Sequence, residues 1–99
     1  MSVLEEILEE EYERSVRLTR LMEEEIASLP KGSIRVRRIR DHEYYYLNYR
    51  VGGKVRSDYV PLSDVEDTRA KIARRKELQM ALKEQRVTQK QIARVLGKR

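Results

Sequence analysis

Apolar or small side chains recur every three or four positions through the first part of the chain: Leu4, Leu8, Tyr12, Ser15, Leu18, Met22, Ile26 and Leu29, with Ile7 and Leu21 beside them. A helix of 3.6 residues per turn collects these positions into one stripe, so the spacing predicts an amphipathic helix over residues 1–29. Glu5, Glu6, Glu9, Glu10 and Glu13 fall on other faces, and Glu10–Arg14 and Glu13–Arg17 have the i,i+4 spacing of helical ion pairs. Pro30 and Gly32 end the run.

From residue 33 the period drops to two. Residues 33–40, 43–50 and 54–60 read as three strands of an antiparallel sheet, rich in Ile, Val and Tyr, separated by Asp41-His42 and Gly52-Gly53. Gly-Gly suits a two-residue hairpin, because a type I′ turn needs positive φ at both central positions. Asp41-His42 is compatible with a two-residue turn or with a four-residue or bulged loop. With two-residue turns at both places, one face gathers Ile34, Val36, Tyr45, Leu47, Tyr49 and Val60. The other gathers Arg35, Arg37, Tyr44, Tyr46, Asn48, Arg50, Ser57 and Tyr59, with Ile39 and Val55 near its ends. A one-residue slip would exchange the faces.

After Pro61, the run Ser63-Asp-Val-Glu66 has the form of a capping box, and a basic helix is expected over residues 63–86. Its apolar stripe is sparse: Val65, Ile72, Leu78 and Leu82, with Ala73, Met80 and Ala81 nearby and Arg74-Arg75-Lys76 interrupting. Such a helix calls for the acidic first helix as its partner. Thr88 with Gln91 forms a second capping box, so a separate short helix over residues 88–97 is expected, with Gly97 at its end. The fold class is then α+β in one domain, residues 1–99: a long N-terminal helix, a three-stranded antiparallel sheet, and one or two C-terminal helices.

Charge sharpens the picture. Residues 1–29 hold nine Glu and three Arg, a net of −6, whereas residues 30–99 carry 19 basic and 8 acidic side chains, a net of +11. Clustered Lys and Arg at a pI near 9.6 are the footprint of a nucleic-acid or acidic-surface binder, and equally of a solvated, highly soluble surface. Charged residues make up 39% of the chain, against about 25% in ordinary domains. The monomer core is therefore expected to be thin and completed by a homodimer through the helices or by another protein. There is no Cys and one His, which removes disulfides and thiolate or His-rich zinc sites. No apolar run has the length of a membrane span and the first residues are acidic, so no membrane association and a cytoplasmic location are expected.

Little in the chain suits catalysis. His42 falls in an expected turn without a positioned partner, Asp41, Glu43 and Asp58 lack metal-ligand spacing, and no glycine-rich phosphate loop precedes a helix. No enzyme activity, cofactor or metal is expected. Binding is better served. Arginines interleaved with tyrosines on a sheet offer guanidinium groups to phosphates or guanine edges and flat rings for stacking. The candidate nucleic-acid-binding residues are Arg35, Arg37, Arg50, Tyr44, Tyr46, Asn48 and Tyr59, with Lys31, Arg38, Arg40, Lys54 and Arg56 as supporting phosphate contacts. The competing structural reading packs Tyr44, Tyr46 and Tyr59 under a helix or across a dimer.

Leu29-Pro-Lys-Gly-Ser-Ile34, His42-Glu-Tyr-Tyr-Tyr-Leu-Asn-Tyr-Arg50, Gly52-Gly-Lys-Val-Arg-Ser57 and Tyr59-Val-Pro61, followed by a charged helix, resemble a family of short uncharacterised prokaryotic proteins often found with mobile elements. Many members of that family carry a cysteine cluster between the first two strands, suggestive of zinc. Here Arg37-Arg-Ile-Arg-Asp-His42 stands in its place, which removes that inference. The three-strand pattern, opening on Gly32-Ser33-Ile34, is also similar to the arm-site DNA-binding domain of tyrosine recombinases, a resemblance that implies a sheet lying in the major groove and implicates the same Arg and Tyr face. Thr88-Gln-Lys-Gln-Ile-Ala-Arg-Val-Leu-Gly97 resembles the second helix and turn of helix-turn-helix regulators, with no recognition helix following in this sequence. The expected function is a small accessory or regulatory protein that binds nucleic acid, duplex DNA in preference to RNA. The alternative is a protein-interaction module.

Overall fold

The computed structural model describes residues 2–98. Along them lie α1 (Val3–Ser28), β1 (Ser33–Ile39), β2 (His42–Val51), β3 (Lys54–Val60), a 3-10 turn (Leu62–Asp64) and α2 (Val65–Val95). The class is α+β, as the periodicities predict. The chain forms two compact units, one from the α1 segment with the chain from Glu77 onward, the other from Leu29–Lys76.

In the first unit, Ser2 caps α1, its Oγ accepting from the Glu5 amide at 3.1 Å. The stripe that α1 buries is Leu8, Tyr12, Ser15, Thr19, Met22 and Ile26, stepping by four and three. Its middle is polar. Ser15 and Thr19 are its most buried members, while Leu4, Ile7 and Leu21 remain exposed. The matching stripe beyond Glu77 runs Leu78, Leu82, Gln85, Gln89, Ile92 and Leu96, again in steps of four and three. Ser15 Oγ lies 3.0 Å from Gln85 Oε1 and 3.4 Å from Gln89 Oε1. Thr19 satisfies its buried hydroxyl locally by donating to the Val16 carbonyl at 2.9 Å. Glu23 meets Arg86 at 2.7 Å and Glu9 meets Lys98 at 2.9 Å, so the two segments run antiparallel with acidic α1 side chains against basic ones. The i,i+4 pairs expected at Glu10–Arg14 and Glu13–Arg17 are replaced by Arg14–Glu11 and Arg20–Glu24. Both are solvated and contribute only a few tenths of a kcal/mol.

The expected short helix over residues 88–97 does not exist as a separate element. α2 runs unbroken through Val87-Thr88, since no Pro or Gly interrupts it and Gln85 and Gln89 must lie one turn apart on one face to meet Ser15. Thr88 is therefore a mid-helix residue and not a cap, and the segment that resembles the second helix of a helix-turn-helix has no separate beginning. The end falls where expected. Gly97 adopts φ 71°, and the Gly97 and Lys98 amides donate to Arg94 and Ala93 carbonyls at 3.2 and 2.8 Å, a Schellman cap. That cap delivers Lys98 to Glu9 and places its Nζ 5.1 Å from the centre of the Tyr12 ring.

In the second unit the strand order is β1-β2-β3, all antiparallel. The β2–β3 register follows from the Gly52-Gly53 turn, with φ of 56° and 81°. The first turn is Arg40-Asp41 instead of Asp41-His42, so His42 pairs with Ile39 inside the sheet and β1 sits two residues from the expected register. A shift of two keeps every side chain on its expected face. Arg40 takes φ 57°, a left-handed conformation costing roughly 1 kcal/mol in a non-glycine residue. Val60, Val65 and Ile72 form the small core, and Ile34 shares a cleft with Ile72 and Ala73 at the start of α2. The step into α2 is made by Pro61 and a 3-10 turn with no side-chain cap, so Ser63 lies inside that turn and does not cap the helix as expected.

Continuity of α2 has a direct test. Gln89→Pro is expected to lower the unfolding free energy by about 3 kcal/mol or more relative to Gln89→Ala in urea titrations. Were Thr88 the cap of a new helix, proline at the next position would be tolerated.

Candidate nucleic-acid interface

Strand pairing assembles one sheet face row by row. Ser33, Asn48 and Ser57 form one row; Arg35, Tyr46 and Tyr59 the next; Arg37 and Tyr44 the third; Ile39 and His42 the fourth; and Arg50 pairs with Val55 at the other end. Tyr46 and Tyr59 make an edge-to-face pair with centroids 6.0 Å apart, and His42 leans on Tyr44 at 6.2 Å. Tyr59 is 59% exposed, and Arg35, Arg37 and Arg50 are exposed, so nothing else within this unit covers this face. Arg35, Arg37, Tyr46, Asn48 and Ser57 line a shallow open depression of about 200 Å³ on it. Ser57 Oγ donates to Asn48 Oδ1 at 2.6 Å.

The opposite face takes the acids. Alternation puts Glu43 and Asp58, the carboxylates of the strands, on the side of Tyr45, Leu47 and Tyr49. There Tyr45 donates to Glu43 at 3.2 Å and Tyr49 to Asp58 at 2.7 Å. The hydrogen bond to Asp58 holds the Tyr49 phenol above its ordinary value; desolvation and the carboxylate's charge add to it and Arg56 opposes. Arg35, Arg37 and Arg50 consequently form no ion pair among the described residues.

The structure brings together Arg35, Arg37, Arg50, Tyr44, Tyr46, Asn48 and Tyr59 and separates most of their supposed support. Arg38, Lys54 and Arg56 project from the other face: Arg38 is opposite Glu43, Lys54 opposite Val51 and Arg56 opposite Tyr49. Strand parity alone dictates this. Arg40 lies in the turn, and Lys31 precedes β1. Two features escaped the sequence reading. One is Ser57's bond to Asn48, whose cue was their shared row next to the Gly-Gly turn. The other is Gly32, whose φ of 116° would drive a Cβ into the Asn48 carbonyl oxygen. Only glycine fits there.

A family described as a domain of unknown function, DUF6788, matches residues 4–70. The chain belongs to the DUF6788 family. No curated protein and no solved structure matches it. The DUF6788 match spans most of α1, the whole sheet and the first turns of α2, and thus contains every residue of the Arg/Tyr face. Among the described residues, no helix is long and apolar enough to cross a membrane.

Two outcomes are expected. Gly32→Ala should cost about 1–3 kcal/mol in chemical denaturation, from positive φ and from overlap with the Asn48 carbonyl, and should broaden the Asn48 amide signals in NMR spectra. For Tyr49 the folded pKa exceeds the unfolded value of 10.0, so its stabilisation is complete below about pH 10 and is lost as pH rises through the folded value. Difference titration of tyrosinate absorbance between wild type and Tyr49→Phe should show this late ionisation, and Asp58→Asn should move it down.

Proposed function

We propose that this DUF6788 protein binds double-stranded DNA through the Arg/Tyr face, as a small cytoplasmic accessory or regulatory protein. The observation that carries the reading is the sorting of charge across the sheet: the strand carboxylates occupy one face, and the other presents Arg35, Arg37 and Arg50 without ion pairs around exposed Tyr59 and half-buried Tyr44 and Tyr46. Unpaired guanidinium groups on an open surface have lost nothing to internal partners and give their full charge to phosphates. An antiparallel sheet of this size enters a B-form major groove, whereas the major groove of A-form RNA is too narrow. Lys31 and Arg40 sit at the margins of the same sheet and suit phosphate contacts.

A second reading is favoured by a specific observation in the helical unit. Leu4, Leu21, Met80 and Val95 are each more than 60% exposed, and Met80, Lys83, Glu84, Val87 and Thr88 line an open groove of about 560 Å³ on α2. Apolar surface at helical spacing suits a second copy of the chain, giving a homodimer through the helices, or another protein.

Fluorescence anisotropy with labelled duplex DNA, and with single-stranded RNA as comparator, tests both readings across a salt series. Duplex binding is expected to weaken steeply with salt, and Arg35→Ala/Arg37→Ala/Arg50→Ala to weaken it about tenfold or more with unchanged circular dichroism. Equal affinity of the triple variant would defeat the assignment of the face. Absence of duplex binding at low salt, with salt-insensitive self-association by light scattering, would favour the interaction module.

A further inference from the structure

The hydrogen bond between Ser57 and Asn48 changes what the Arg/Tyr face can read. An asparagine recognises adenine by using both ends of its amide, accepting from N6–H with Oδ1 and donating to N7 with Nδ2. Here Ser57 Oγ donates to Asn48 Oδ1 at 2.6 Å and takes one of its two lone pairs, while the Nδ2 hydrogens have no partner among the described residues. Asn48 is thus biased toward donating. Beside it in the same depression stand Arg35 and Arg37, which carry only donors. No carboxylate reaches this face, because Glu43 and Asp58 project from the other. The amino hydrogens of adenine N6 or cytosine N4 would therefore meet no anionic acceptor here, only neutral tyrosine and serine hydroxyls and the remaining lone pair of Asn48 Oδ1.

Among base edges in the major groove, guanine alone offers two acceptors, O6 and N7, and no donor. We propose that the Arg/Tyr face selects guanine, with Arg35 and Arg37 meeting guanine O6 and N7, and with Ser57 acting as the positioning residue that competes for Asn48 Oδ1 and so biases Asn48 toward donating and against adenine. The inference rests on the duplex-binding reading. Spacing supports it: Arg35 and Arg37 are two residues apart on one strand, about 6.7 Å, and two base steps along a strand cover about 6.8 Å. Both guanidinium groups therefore keep step with bases along one groove. Tyr46, beside Arg35, and Tyr59, beyond it on β3, form an edge-to-face aromatic pair in the same row.

The test is selection of bound duplexes from a random pool with the full chain. Anisotropy then follows on one selected duplex and on versions in which a G·C pair is replaced by A·T or a guanine by 7-deazaguanine. Guanine should be enriched, each replacement should weaken binding about fivefold or more, and Ser57→Ala should narrow the guanine-to-adenine ratio of affinities. Arg37→Ala, an exposed change that spares the Asn48–Ser57 bond, should erase the preference at one position. Duplex binding of equal strength to all sequences would overturn guanine selection and leave the duplex-binding reading standing, the same donors then serving phosphates. No duplex binding at low salt would overturn both.

Discussion

Everything distinctive about the sheet depends on strand parity. Two two-residue turns, at Arg40-Asp41 and Gly52-Gly53, connect three strands without a bulge, so each side chain is committed to a face by whether its number is odd or even. Within that constraint the sequence places both strand carboxylates beside apolar and tyrosine side chains and leaves the arginines of the other face without counter-charges. An electrostatic surface thus arises from chain geometry, before any ligand is considered. The same parity exiles Arg38, Lys54 and Arg56, so net charge overstates the positive density of either face.

The helical unit obeys a different logic. Its buried stripe has apolar ends and a polar middle, where Ser15 faces Gln85 and Gln89 and Thr19 bonds to its own helix. A hydroxyl and two amides stabilise less than leucines would, yet they pair well in few alignments, much as a buried asparagine fixes the register of a coiled coil. The ion pairs Glu23–Arg86 and Glu9–Lys98 flank this polar centre and agree with the same antiparallel alignment.

How far the sequence could be read follows from these two logics. Period-two alternation survives register errors of two residues, which is why both faces of the sheet were legible although the first turn was misplaced onto Asp41-His42. The Arg40-Asp41 turn carries no glycine or asparagine cue, since Arg40 enters the left-handed region unaided. In the helices, a search for apolar stripes finds Leu8, Tyr12, Met22 and Ile26 but passes over Thr19, Gln85 and Gln89, whose burial depends on partners far along the chain. The same omission made Thr88 look like the start of a new helix, because the stripe that continues through it is polar at Gln85 and Gln89. The carbonyl lodged against Gly32 is a tertiary contact with no local signature beyond the glycine itself.

β1 and β3 are the outer strands of the sheet and offer unpaired backbone to any passing strand. Arg35, Arg37 and Arg38 on one margin and Lys54 and Arg56 on the other repel a second copy approaching edge to edge. Two of those side chains, Arg35 and Arg37, are also the centre of the Arg/Tyr face. Charge that guards the sheet edge and charge that the open face displays are therefore supplied by the same arginines. Replacing them with apolar side chains would alter both the open face and the margin that keeps a second sheet edge away.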